Sequence, residues 1–359
     1  MRPAVCLVPV ALLSSLGAAK GLDRGSPAQV FDSTTAAIKG LPVFYDISDV
    51  NLVEADHAFD SFWAVNYIRT TDNRTFFVSA NAIIRNGSAT QRAGILSLDD
   101  PSSLYTKHYQ DIGLVREKNG TLDPFNLTMP GGQFGLETLH HHAASSPEAL
   151  PPMRIFSHLP GTEFDIDLEF KAPVLLNAGL GSWRWAGGIQ HQVSLPASRP
   201  RGTIIVDNTT LSIDSDKSVT WYDRQWGPTM PDRFTWFGFY LTSAKDGIES
   251  YVSIWHWVDD INGNKSFATI QNQAGVSTVL PLLNFQPSKT DIFHSKATGN
   301  LYALQYNITL MDGSHIIVKS QLQDQEYVLD DSTVGFFSGY VEVSGDFTGH
   351  GTVDIMPSM

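Results

Sequence analysis

The chain has 359 residues, 42% of them hydrophobic and 11% aromatic, enough to bury a large core as two domains or one double-barrelled unit. A formal net charge of -13 argues against nucleic acid or an anionic membrane surface as a partner. The only cysteine, Cys6, lies near the start, so the chain beyond it has no thiol for a disulfide, a metal site or nucleophilic catalysis.

Residues 1–19 read as a signal peptide: Arg2 precedes an apolar run from Ala4 to Leu16, and Gly17, Ala18 and Ala19 supply small residues for cleavage. The run is too short to span a bilayer, so no stable membrane insertion is expected. The expected route is the secretory pathway, to a secreted or vacuolar destination, with a mature chain beginning near Lys20. Seven Asn-X-Ser/Thr sequons, at Asn73, Asn86, Asn119, Asn126, Asn208, Asn264 and Asn307, agree with that route as glycan acceptors.

A short helix fits Ala28 to Gly40, after which strand signals dominate. Phe62 to Ile68 alternates, turns at Asp72-Asn73 and returns as Thr75 to Ala80, a hairpin. From Ser97 to Pro152 the pattern weakens into a long crossing region that contains His140, His141 and His142. Glu163 to Phe170, Trp183 to Trp185 and Ile189 to Val193 read as strands, and an Asp207-Asn208 turn delivers the chain to its densest stretch.

That stretch is Trp221-Tyr222-Asp223-Arg224-Gln225-Trp226-Gly227, which stops at Gly-Pro. If it is extended, Trp221, Asp223 and Gln225 share one face and Tyr222, Arg224 and Trp226 the other. Each face then carries aromatic and polar groups, which a plain core strand does not tolerate unless the charges have partners. One reading is a structural Asp223/Arg224 ion pair knitting two halves together; the other is catalytic. Beyond it, Phe234 to Leu241 is apolar on both faces, Asp246-Gly247 turns it into Tyr251 to Trp257, and Asn262-Gly263 turns that into Ser266 to Ile270. Further hairpins follow to Ile355. Strand after strand with tight turns predicts an all-β chain of two antiparallel barrels or sandwiches, divided as 20–215 and 216–359.

The segments GTIIVDN at 202–208, VTWYDRQWG at 219–227, RFTWFGFYL at 233–241 and FSGYVEVSG at 337–345 resemble the hydroxyneurosporene synthase (carotenoid hydratase) and AttH-like family. The resemblance implies two lipocalin-like β-barrel domains meeting near the WYDRQWG segment. With a signal peptide and sequons, the layout is closest to the fungal hetero-Diels-Alderases of tropolonic sesquiterpenoid biosynthesis.

The residues carry no Gly-rich dinucleotide loop opening a helix, no Walker sequence and no Gly-X-Ser-X-Gly elbow, so cofactor-free chemistry is expected. The three sequential histidines read as a solvated loop, because neighbours in a strand point to opposite faces and no second ligand pair follows; no metal site is expected. Trp221, Gln225, Trp226, Trp236, Tyr240, Tyr251, Trp255 and Trp257 are candidate walls of a barrel mouth for a large apolar or aromatic substrate. Asp223, Arg224, Tyr222 and His256 are the candidate catalytic groups: donors to a carbonyl oxygen or, for Asp223 and His256, acids that protonate a leaving hydroxyl. Three functions fit: a pericyclase joining a tropolone-derived quinone methide to a sesquiterpene such as humulene, an isoprenoid hydratase or cyclase using Asp223 as proton donor, and a secreted lipocalin-like carrier.

Overall fold

The computed structural model describes residues 29–32, 50–51, 59–85, 88–114, 126–128, 131–139, 150–171, 173–185, 187–228, 230–231, 233–259, 263–330 and 332–357. The signal segment, the three sequential histidines, Asn86 and Asn119 lie outside them. Of the remaining sequons, Asn73, Asn208, Asn264 and Asn307 are exposed, and Asn73 and Asn208 sit in turns at φ of 71° and 60°. Among the described residues the chain is all-β apart from one 3-10 turn, Asn177–Gly179. The helix expected over 28–40 is corrected in part: Gln29–Asp32 is a strand, paired with Val276–Pro287, and the rest of that span is outside the described residues.

Two large antiparallel sheets carry the fold. The first runs in the order Tyr105–Leu114, Ser88–Ser97, Thr75–Arg85, Phe59–Arg69, Val219–Gly227, Gly188–Val206, Phe164–Glu169, Met153–Ser157, Phe134–Thr138 and Asn126–Thr128, and curls into a half-barrel. The Gly188–Val206 strand is long enough to bend around the curl. A register shift between Leu195 and Ser198 bends it before its last pairing with Val219–Gly227, Ser198 opposite Thr220, and Gly202, at φ of 130°, lies within its pairing with Phe164–Glu169, where a Cβ would strike the Asp165 carbonyl at 2.1 Å.

The second sheet closes on itself. Arg233–Ser243, Glu249–Asp259, Gly263–Asn272, Val276–Pro287, Gln305–Leu310, His315–Ser320, Gly335–Gly345 and Phe347–Met356 pair in a ring of eight strands. The densest stretch of the sequence belongs to the first sheet, where it lies between Phe59–Arg69 and Gly188–Val206. The expected division after residue 215 therefore cuts off a central strand of the first sheet; the chain passes to the barrel only after Gly227.

Three buried clusters follow from the two-faced strands. One fills the half-barrel and includes Phe62, Val78, Ile155, Tyr222 and Trp226. A second fills the closed barrel with Phe237, Phe239, Ile254, Tyr306 and their neighbours. The third is a nearly all-aromatic layer between the sheets: Trp63, Tyr67, Phe77, Tyr109, Trp185 and Trp221 face Phe234, Trp236, Trp255, Trp257, Tyr327 and Phe336. This layer explains why Phe234 to Leu241 is apolar on both faces, since one face lines the barrel and the other meets the half-barrel. Gly238 is the enabling residue, because a Cβ there would sit 3.0 Å from the Trp236 ring and 3.1 Å from that of Trp221.

Candidate active site

Asp223 lies at the centre of the interdomain layer. Its strand pairs on one side with Gly188–Val206, placing Ser194 opposite, and on the other with Phe59–Arg69, placing Trp63 opposite. Trp63 in turn faces Asn81, and Asn81 faces Arg92. Ser194, Asp223, Trp63, Asn81 and Arg92 thus form one row across five strands, all on the face toward the barrel. At about 4.8 Å per strand, the carboxyl and guanidinium ends of the row are roughly 14 Å apart in the backbone.

Asp223 is 3% exposed, and burial is the main influence on it, pushing its carboxyl up to about 7. The Ser194, Trp221 and Gln192 side chains lie close enough to oppose that rise. Among the described residues they leave one oxygen, Oδ1, and the Trp221 indole N–H without a hydrogen-bond partner. Its neighbours are themselves held. Trp255 Nε1 donates to Gln192 Oε1 at 2.6 Å, Asn177 Nδ2 donates to Ser194 Oγ at 3.0 Å, Ser253 Oγ donates to Asn177 Oδ1 at 2.6 Å, and Trp236 Nε1 donates to Ser253 Oγ at 3.0 Å. The barrel strands thereby fix the two polar side chains that flank the carboxyl.

Other buried polar atoms in the same region lack partners among the described residues: the indole N–H groups of Trp63, Trp183 and Trp257, both amide atoms of Gln190 and the amide nitrogen of Gln225. Buried donors and acceptors are ordinarily satisfied, so this concentration is a place where water or a bound molecule can supply hydrogen bonds. Arg92 is fixed at the other end of the row. Its Nε donates to Asn81 at 3.0 Å, its Nη1 to Ser338 at 2.6 Å and to Asp354 at 2.9 Å, and its plane lies 4.9 Å from both the Trp63 and Phe336 rings.

The structure divides the expected catalytic groups among three places. Asp223 faces the layer, with Trp221 and Gln225 beside it on the same face. Tyr222, Arg224 and Trp226 point the other way into the half-barrel, where Tyr222 donates to Asn51 Oδ1 at 2.6 Å and Trp226 stacks on His191 at 5.2 Å. The expected Asp223/Arg224 pair is corrected: Arg224 Nη2 bonds Asp60, and the pair is wholly buried. Adjacent residues in a strand face opposite ways, so these two could not share a partner. His256 is on the barrel-mouth side of the Glu249–Asp259 strand, stacked on Phe285, and not with Asp223.

The expected substrate walls fare differently. Trp221, Trp236, Trp255 and Trp257 all lie in the interdomain layer, with Tyr240 and Tyr251 packed against it. The barrel residues among them coat the outside of the barrel, not its mouth, and Trp221 meets them from the half-barrel, which corrects the expected location. Trp63, Gln192, Ser194 and Arg92 were missed. Trp63 was visible in the first hairpin, and an arginine inside the small, apolar Ser88–Ser97 strand was the available signal for Arg92.

No three His, Cys, Asp or Glu side chains gather to hold a metal ion among the described residues.

Comparison with known proteins agrees with this layout. A dehydratase, asqC, of Emericella nidulans is 28% identical, covering 97% of this chain and 96% of its own. Kievitone hydratase of Fusarium solani subsp. phaseoli is 26% identical over 91% of this chain and 90% of its own. The crystal structure of kievitone hydratase from Nectria haematococca superposes with a TM-score of 0.76 at 26% identity, covering 91% of this chain and 96% of that one. An AttH-type structure from Nitrosomonas europaea shares the fold, with a TM-score of 0.67 at 13% identity over 89% of this chain and 99% of that one. The AttH-like family matches residues 123–356, more than half of the sequence, and the chain belongs to that family.

Proposed function

We propose that this chain is a cofactor-free lyase-type enzyme that removes water from, or adds it to, an apolar unsaturated substrate held between the two sheets, with Asp223 as the proton donor. One observation carries the reading: a carboxyl buried in an indole-walled layer, raised to about 7, with one oxygen that none of the described residues satisfies. A group with a pKa near the working pH is the most effective general acid, and burial is how a carboxyl reaches that value. The names of the dehydratase and hydratase relatives support the same reaction class.

In the eliminating direction the Asp223 proton goes to a leaving hydroxyl, the C–O bond breaks and water departs. A phenolic or enolic proton of the substrate returns to Asp223, leaving a quinone methide and the original acid. Addition runs the same steps backwards: the carboxyl protonates the carbonyl oxygen of the quinone methide, water adds to the methide carbon, and the extra proton of that water returns to the carboxylate. The test is to incubate the purified chain with a benzylic-type alcohol of a prenylated phenol or tropolone in 18O-labelled water. Asp223-dependent loss or exchange of the hydroxyl oxygen supports the reading; turnover retained by folded Asp223→Asn defeats it.

A finer step, the hetero-Diels–Alder joining of that quinone methide to a sesquiterpene such as humulene, is favoured by the length of the row. With the acid at one end and Arg92 at the other, the row suits a molecule made of two joined halves, and holding both halves in contact supplies several kcal/mol of the roughly 7–11 available from positioning. No atom is lost in that step. Supplying humulene with the alcohol and finding an adduct above the uncatalysed background supports it, whereas release of the dehydrated product alone restricts the enzyme to water elimination.

A further inference from the structure

His256 is one of the residues singled out in the sequence that the Asp223 layer does not use. It projects from the other face of the Glu249–Asp259 strand, while Trp255 and Trp257 project into the layer. There it lines a cavity of ≈ 520 Å³ at the mouth of the closed barrel. We propose that this mouth is a second binding site, separated from the Asp223 layer by the barrel wall, for an apolar molecule of terpenoid size that carries a neutral hydroxyl or carbonyl oxygen.

The volume falls within the range of small-molecule sites, about 300–1,000 Å³. Apolar side chains such as Val258, Phe285 and Ile355 stand among the polar ones, and the rim presents Ile292 at 39% and Leu301 at 63% exposure. These two stand on the short paired strands Ile292–His294 and Leu301–Ala303, so the exposed apolar surface is concentrated at one edge of the opening. A ligand entering here covers apolar side chains that water now meets, at about 25 cal/mol per Å² buried.

The polar part of the site combines the Arg233 guanidinium at the opening with the uncharged groups of Thr235 and His256. His256 lies flat on Phe285, with ring centroids 4.0 Å apart and planes 8° from parallel, so its ring is fixed in orientation. Burial first, and the charge of Arg233 second, pull its pKa down to about 4, leaving a neutral imidazole with one donor and one acceptor at physiological pH. Its Nδ1 is buried with no hydrogen-bond partner among the described residues, a cost that a bound oxygen can relieve. A neutral imidazole suits a hydroxyl or carbonyl better than a carboxylate.

Farnesol, a sesquiterpene-length alcohol, is the probe, with the saturated hydrocarbon farnesane as its apolar control. Binding is followed by equilibrium dialysis against the full chain. Two variants close the opening: Ala303→Trp, from the wall, and Leu301→Arg, at an exposed rim position where folding is tolerant. We expect saturable farnesol binding that either variant weakens at least about tenfold, with turnover at Asp223 unchanged. His256→Phe, which keeps the stack and removes both ring nitrogens, is expected to weaken farnesol about fivefold and leave farnesane unaffected, as for loss of one hydrogen bond. No saturable farnesol binding, or binding that Ala303→Trp and Leu301→Arg leave intact, overturns the second site. Equal effects of His256→Phe on farnesol and farnesane overturn the role of the imidazole.

Discussion

Asp223 and Arg224 show how much one residue of chain direction decides. They are neighbours in sequence, yet Arg224 closes a salt bridge with Asp60 inside the half-barrel and Asp223 sits in the layer beside Ser194 and Gln192. Asp60→Asn is therefore the change that strands a buried cation, and it is expected to cost about 3–5 kcal/mol in denaturant unfolding. Asp223→Asn strands nothing. Because burial raises its carboxyl from the ordinary 3.8 to about 7, the folded state holds that proton more tightly than the unfolded one. Stability contributed by the protonated form is complete below about pH 4 and is lost as pH rises through about 7. Above neutrality Asp223→Asn is expected to unfold at higher denaturant than the wild type, by up to roughly 4 kcal/mol, with the gap closing toward pH 4. Its turnover is expected to fall by about 10²–10⁴-fold at every pH, while wild-type turnover declines as pH rises through about 7, because the acid must be protonated to act. Equal pH profiles for the wild type and the variant would count against a donor at this position.

At the scale of single elements, the strands were legible because period-2 alternation and Asp-Gly or Asn-containing turns punctuate them. What alternation could not convey is which of two apolar faces meets which layer. The Arg233–Ser243 strand is buried on both faces, and only its pairing with Glu249–Asp259 and Phe347–Met356 assigns Phe237 and Phe239 to the barrel interior and Trp236 to the outside. The walls were therefore recognised but placed at the wrong surface of the barrel. Trp236 and Trp255 are direct cross-strand partners, and Trp255 also anchors Gln192 beside Asp223. Trp255→Phe, which keeps an aromatic wall and removes the indole N–H, is expected to lower turnover by about tenfold at little cost in stability, since it frees a side chain that flanks the acid. His256→Phe is expected to leave that turnover unchanged. Gly238→Ala should cost about 1–3 kcal/mol, because the added methyl drives apart two indoles that already touch the backbone. A fully stable Gly238→Ala chain would show that the layer is looser than its contacts indicate.

For the whole molecule, the site exists only because two sheets from different parts of the chain share one core. Polar links stitch that core at both ends: Arg92 to Ser338 and Asp354, the Ser79 and Tyr327 hydroxyls at 2.7 Å, Tyr240 to the Pro196 carbonyl at 2.8 Å, and Lys107 to Asp324 at 2.8 Å. None of these long-range partners was legible in the sequence, since pairing between strands that are far apart in the chain leaves no local trace. The division after residue 215 failed for the same reason: the Val219–Gly227 strand resembles an opening strand of the second half until its hydrogen-bond partners are known. Arg92→Met removes the buried cation that ties the sheets and is expected to lower stability by about 3–5 kcal/mol while the rest of the aromatic layer stays in place. The layer also excludes water, which is what allows a carboxyl to remain a carboxylic acid at neutral pH. Infrared difference titration of wild type against Asp223→Asn, followed at the carboxylic C=O stretch, tests that claim most directly. The account predicts a single Asp223-dependent carboxylic band that persists on raising the pH and is lost near pH 7; a carboxylate already ionised at the ordinary value of about 4 would contradict it.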